Sequence, residues 1–383
     1  MKRVCLWNQL QNSSTPKIAL LNPIASAPPR LPSRVGRRQR VGQARPVLRQ
    51  WGPKSSIFRC RGVLQLPLWV GVFGPALLFC DEALPKRGVF VEADVLYWQA
   101  DEGGLGYAVK SESADALAPK SKAFNPHFDW DFGARIAIGY RIPHDLWALF
   151  ARFTLYHTHT DAHHSDPFLF PSWLLPEAPA NQFASDVHMH WRLHMGAVDL
   201  VLQKTWQVSR AFQLVPQMGI RHLWARQKFN IGYEGGSLVP DRAVLLRMKN
   251  KFQGTGPYLG LKTDWALGAG FSLFGNAAAS MLFGEFYLHQ DEDTLNTNVK
   301  RLGFHDIFGA SRPMWEMQLG LRWQRSWPGT LKRLTLEVSW DQLTLFEQNE
   351  LARFTDDIAP GVFVAGGDNL NVHGVELGFR FDF

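Results

Sequence analysis

The sequence predicts an all-β protein: an antiparallel transmembrane β-barrel of about ten strands (ten to twelve), with short periplasmic turns and long extracellular loops. Three observations predict it. Ten segments after Gly88 alternate apolar and polar residues with the two-residue period of a strand. The connections between them run long, short, long, short to the end, as in outer-membrane barrels. The last eleven residues, His373 to Phe383, set Val375, Leu377, Phe379, Phe381 and Phe383 against Gly374, Glu376, Gly378, Arg380 and Asp382. A soluble edge strand ending in such aromatics is an aggregation hazard, whereas a lipid-facing strand is not.

Val89–Gln99 opens the series, with Val89, Val91, Ala93, Val95 and Tyr97 opposite Glu92 and Asp94, although Leu96 and Trp98 blur its polar side. Phe128–Arg141 is cleaner: Phe128, Trp130, Phe132, Ile136, Ile138 and Tyr140 oppose Asp129, Asp131, Arg135 and Arg141. Leu146–His157 sets Trp147, Leu149, Ala151, Phe153 and Leu155 against Arg152 and Thr154. In Asp186–Lys204, Val187, Met189, Trp191, Leu193 and Met195 are expected on the lipid side, with His188, His190, Arg192 and His194 toward the lumen. Phe212–Trp224 alternates loosely, with Arg221 on its polar side; Phe252–Trp265 places Lys262 opposite Leu259 and Leu261. Phe271–His289 is apolar on both faces. Arg312–Arg325 directs Glu316 and Arg322 away from Trp315, Met317, Leu319 and Leu321, and Lys332–Gln342 directs Arg333, Glu337 and Asp341 away from Leu334, Leu336, Val338 and Trp340.

The expected short connections are 142–145, 205–211, 266–270 and 326–331; the long ones are 100–127, 158–185, 225–251, 290–311 and 343–370. This ordering puts both termini in the periplasm. Fifteen Trp and 27 Phe, many near strand ends (Trp98, Trp130, Trp147, Trp224, Trp265, Trp323 and Trp340), fit the aromatic girdles of a bilayer interface.

Net charge misleads here. The chain carries +7 overall, but residues 1–80 hold 13 of its 41 Lys and Arg and no acid, so 81–383 carries 28 basic against 34 acidic residues. A nucleic-acid partner is therefore not expected. All three cysteines, Cys5, Cys60 and Cys80, lie in that basic tract, which leaves the body without a disulfide or thiolate site. Uncharged Val63–Cys80 after Arg59 and Arg61 reads as a signal peptide over 58–80, with export to the outer membrane. Residues 1–57, rich in Arg and Pro, read as disordered or as an over-extended start, and 81–383 as the barrel.

The polar set Glu92, Asp94, Asp129, Asp131, Arg135, Arg152, Arg192, Arg221, Lys262, Glu316, Arg322, Arg333, Glu337, Asp341, Glu376 and Arg380 is the candidate pore lining. Both signs are present, so it either tunes ion passage or closes a narrow lumen as a salt-bridge network. His157, His159, His163 and His164 are dense enough to consider as a metal site. The competing reading is a solvated loop beside a lumen-facing histidine row. No G-x-S-x-G or phosphate loop occurs, so no enzyme and no cofactor are expected.

Four blocks resemble a known family: GVFVEADVLYWQADEGGLGYAV (88–109), FDWDFGARIAIGYRIPHDLWALFARFTLYHTH (128–159), VDLVLQKTWQVSRAFQLVPQMGIRHLWARQKFNIGYEGG (198–236) and FQGTGPYLGLKTDWALGAGFSLFGNAAASMLFGEF (252–286). They are similar to the Legionella-type pore-forming outer-membrane proteins, which include the MOMP-like porins of chlamydia-related bacteria. The resemblance spans 88–383 and implies a pore-forming barrel that passes ions or small polar solutes. The alternative is a non-porous surface barrel acting as adhesin or envelope scaffold. Expected partners are outer-membrane lipid, small solutes, another copy of the chain, and the barrel-assembly machinery, which would read Phe379, Phe381 and Phe383.

Overall fold

The computed structural model describes residues 88–114, 121–142, 145–176, 182–238, 243–294, 299–327, 332–356 and 361–383. The expected leader at 58–80 and the tract at 1–57 lie outside them.

The described residues form fifteen strands: β1 (Gly88–Glu102), β2 (Ala108–Lys110), β3 (Lys122–Phe124), β4 (Trp130–Arg141), β5 (Trp147–Pro171), β6 (Ala184–Lys204), β7 (Trp206–Gln207), β8 (Phe212–Glu234), β9 (Val244–Gly268), β10 (Phe271–Thr294), β11 (Val299–Ser326), β12 (Arg333–Asn349), β13 (Ala352–Phe354), β14 (Phe363–Ala365) and β15 (Asp368–Asp382). Ten are long and match the ten alternating segments. The other five have two or three residues and decorate the connections.

Every pairing is antiparallel. The ladder runs β5, β4, β1, β15, β12, β11, β10, β9, β8, β6, and β6 pairs with β5 again, so each long strand has two hydrogen-bonded neighbours. Such a cycle leaves no long edge to template aggregation. Neighbours in the ladder are close in sequence except at one seam, where β1 meets β15 from Phe90↔Asp382 to Glu102↔Leu370.

At one end, here the turn end, the connections are short. Gly268 and Gly270 take positive φ around Ala269 (φ 52°), and Ala266 N–H donates to Ala211 O at 2.8 Å. At the other, the loop end, the strands run much further than alternation alone indicates. β5 and β6 pair to Ser165↔Asp186, β8 and β9 to Tyr233↔Val244, and β10 and β11 to Thr294↔Val299. Three of the connections expected as long loops, 158–185, 225–251 and 290–311, are thus largely wall.

The reason is a reversal of facing. Near the turn end the outer surface is apolar: Phe132 is 70% exposed, Leu319 62% and Leu259 61%. On β4, outward residues run from Trp130 to Tyr140, about ten steps or ~25 Å once a strand is tilted ~40°, which matches a bilayer's apolar band. Toward the loop end the sense inverts. Val187, Met189, Trp191, Leu193, Leu246, Met248, Phe229 and Ile231 are buried inside, while His159, His194, Arg226, Lys228, Arg247 and Lys251 lie exposed outside. This half is built like a water-soluble sheet, polar side out. The lipid side expected for Val187 to Met195 is therefore corrected: they form the core.

Candidate functional site

Charges from nine of the ten long strands, all but β10, meet inside the turn-end half. Arg221, 2% exposed at its side chain, donates Nε to Asp199 Oδ1 (2.6 Å) and Nη1 to Glu316 Oε1 (2.8 Å), and its guanidinium stacks over Tyr258 at 4.8 Å. Arg152 joins the same Asp199 at 2.6 Å. One step round the ring, Arg135 pairs with Glu376 and with Asp341 (3.4 Å). Arg322 pairs with Asp264 and with Glu337 (2.7 Å), and Arg380 with Glu92 (2.7 Å) and Asp382 (3.0 Å) over the Phe90 ring. Bidentate and shared arginine–carboxylate contacts of this kind offset the desolvation that isolated buried charges suffer.

Fourteen of the sixteen candidate lining residues do project inward: Glu92, Asp94, Asp131, Arg135, Arg152, Arg221, Lys262, Glu316, Arg322, Arg333, Glu337, Asp341, Glu376 and Arg380. Two do not. Asp129 precedes β4 and is exposed, because Phe128 turns inward to pack edge-on against Trp191 at 4.8 Å. Arg192 lies on the outer wall, since buried Trp191 and Leu193 occupy the inner parity of β6. Sequence reasoning missed Asp199 and Asp264. Asp199 shares the parity of Trp191 and Leu193, whose alternation points to lipid, so its inward direction is hidden by the same reversal.

The network leaves a polar cavity of ≈ 170 Å³ at the turn end, lined by residues such as Glu92, Lys262, Asp264 and Arg322. At mid-height, where Trp98, Arg135, Arg152 and Glu316 converge, the remaining gaps hold only ≈ 20 and ≈ 10 Å³, about one water each. Above them the interior is one apolar cluster built on Trp98, Tyr156, Trp191, Leu193, Phe229, Leu246, Phe286 and Leu345. Trp98, expected in an interfacial girdle, belongs to this plug. Burial there pushes the Tyr107 phenol up to about 12. A buried polar chain crosses the plug: Asn250 Nδ2 donates to Gln227 Oε1 (3.2 Å), whose Nε2 donates to Glu102 Oε1 (2.6 Å).

The histidines do not form the metal site considered for them. His157, His159 and His163 point outward, whereas His164 turns inward and stacks on Phe124 at 4.0 Å. Among the described residues no group of three or more His, Cys, Asp or Glu is placed to hold a metal ion. His188, His190 and His194 are likewise on the outer wall rather than in the lumen, so the two rows meet: His157 stacks on His194 and His163 on His188, each at 4.1 Å.

Aromatics ring the upper rim of the apolar band. Tyr97 stacks on Trp130 at 5.4 Å, and Trp130 meets Trp340 edge-on at 6.1 Å. Further round, Trp224 lies flat over Gly196, where a Cβ would stand 2.2 Å from the indole. Gly196→Val is expected to lift Trp224 off the wall, cost about 1–3 kcal/mol as overpacking does, and shift the tryptophan emission. An unchanged spectrum and unfolding midpoint would refute this placement.

Residues 85–383 match the family model described as Legionella pneumophila major outer membrane protein precursor. Solved structures with likeness to the chain include the Escherichia coli outer membrane protease OmpT, at 12% identity and TM-score 0.41 over 79% of this chain and 100% of that one. A major outer membrane protein from Thermus thermophilus follows at 11% and 0.30, covering 78% and 99%, and the Pseudomonas putida toluene transporter TodX at 10% and 0.29, covering 79% and 91%. No curated protein matches the chain.

Proposed function

The chain belongs to the family of the Legionella pneumophila major outer membrane protein, and from that premise we propose a closed transmembrane barrel of ten long strands that works through its exposed outer surface. One observation carries this reading: from mid-height to the loop end the interior is filled, first by ion pairs that leave gaps of only ≈ 20 and ≈ 10 Å³ and then by the apolar cluster. Ten strands enclose little more than their own side chains. In this reading the turn end and both termini face the periplasm, and Phe379, Phe381 and Phe383 form the segment read by the assembly machinery. The reading involves no cofactor and no catalytic step.

Passage of ions or small polar solutes is the second reading, favoured by the ≈ 170 Å³ polar cavity and by Lys262, which has no carboxylate within 4.0 Å among the described residues. It requires the apolar cluster to move aside. Planar-bilayer recording of the refolded, heat-modifiable protein separates the two. The closed reading expects a silent membrane; discrete conductance steps would sink it and establish the channel.

A further inference from the structure

Cations stand directly opposite one another on the outer wall of β6, β8 and β9, just above the apolar band. The register sets Arg192 beside Lys228 and Lys228 beside Lys249; one row lower it sets His194 beside Arg226 and Arg226 beside Lys251. Directly opposed residues have Cβ atoms only about 4.5–5.5 Å apart, and like charges so placed repel. Carboxylates on the flanking strands are engaged elsewhere: Asp161 on β5 by His190 (2.5 Å), and Asp291 and Asp293 on β10 by Lys300 (2.6 Å) and Arg247; Glu234 lies at the loop end of β8, six residues beyond Lys228. Among the described residues Arg192, Arg226, Lys228, Lys249 and Lys251 have no carboxylate within 4.0 Å. Five clustered cations with no carboxylate in ion-pair reach are arranged for an anion from outside.

Geometry says which anion. Arg226, Lys228, Lys249 and Lys251 edge a groove of ≈ 770 Å³ whose lower side is apolar, formed with Phe132, Leu155 and Trp224. Phe132 and Leu155 are exposed on the lipid-facing band itself. A ligand following this surface is apolar below and multiply anionic above, with the change at the height of the aromatic rim. Soluble anions lack the apolar part. We propose that this groove holds a phosphorylated glycolipid of the outer leaflet, its acyl chains on Phe132, Leu155 and Trp224 and its phosphates between Arg226, Lys228, Lys249 and Lys251. Phosphate oxygens suit these donors, and ammonium and guanidinium groups bind them as charge-assisted hydrogen bonds.

The inference rests on the barrel being seated in the outer membrane with its loop end outward. Its test is refolding of the whole chain into phosphatidylcholine bilayers doped with lipid A bearing its phosphates, or with the same lipid A dephosphorylated, followed by gentle extraction and native mass spectrometry. The expected result is phosphorylated lipid A retained at least about tenfold over the dephosphorylated form, with R226Q/K249Q losing that preference while keeping its heat-modifiable band. Equal retention of the two lipids by the wild type overturns the inference whether or not the variant folds. So does full displacement by inorganic phosphate or equal occupancy by soluble heparin, which would mark a site for free polyanions. A chain that never inserts overturns the barrel reading itself; one that inserts without discriminating overturns only this site.

Discussion

Arg221→Met is expected to lower the unfolding free energy by about 3–5 kcal/mol, the range for removing one partner of a buried ion pair. Arg221 is almost wholly enclosed and is the junction between Asp199 and Glu316. Without it, Asp199 keeps Arg152, but Glu316 retains only Arg152 at 4.0 Å. Methionine fills much of the volume, so the loss reports uncompensated carboxylate rather than a void. Urea unfolding in detergent micelles, followed by the heat-modifiable gel shift, measures it. For contrast, Lys300→Met breaks the 2.6 Å contact to Asp291 at a side chain 54% exposed, and solvent-screened pairs are worth about 0–1 kcal/mol. If both variants lose equally little, the interior network is not holding the ring.

The second large effect tests the reversal of facing. Leu193 is fully buried in the apolar cluster and Arg192 sits beside it on the outer wall. Leu193→Arg forces a lone guanidinium into that cluster and is expected to cost more than about 4 kcal/mol or to abolish the folded band. Arg192→Leu is expected to change stability by less than about 1 kcal/mol. Leu200→Arg lies further down the same strand, 51% exposed on the apolar band, and is expected to fall between them at about 2–4 kcal/mol. Uniform facing along β6 gives the opposite order, with Arg192→Leu severe and Leu193→Arg mild. Rank order in one denaturation series therefore decides the matter.

How much of this was legible in the sequence follows from what alternation encodes. A period of two reveals that residues occupy two faces, and it located all ten long strands. It carries no sign. On β6, Trp191 and Leu193 share one parity and Val198 and Leu200 the other, so the apolar face changes sides near Gly196. The pairing with β5 stays in register throughout, from Trp147↔Lys204 to Ser165↔Asp186. No bulge produces the change; in the proposed reading the surroundings do, lipid around one half and water around the other. A reader who noticed the apolar parity slip at Met195–Val198, or between Ile220 and Leu223 on β8, could have extended the walls and turned Asp199 inward. The ion pairs themselves were not legible, because Arg221 and Glu316 are 95 residues apart in sequence and meet only across the ring.

The seam between β1 and β15 has a consequence for how the chain comes to be folded. Each long strand can zip onto one made shortly before it, at small loop-closure cost, until the last. β1 waits with one row of backbone donors and acceptors unmatched, its Val89, Val91 and Val95 flank bare, until nearly three hundred residues have followed. Closure is then a single late event that joins the two ends of the strand array. Kinetic traps should concentrate there: a substitution that weakens Ala93↔Phe379 or Val95↔Leu377 slows the final step while leaving the earlier hairpins untouched. A stalled intermediate would be an open sheet of ten strands, exposing the two edges, of β1 and of β15, that the finished ring conceals.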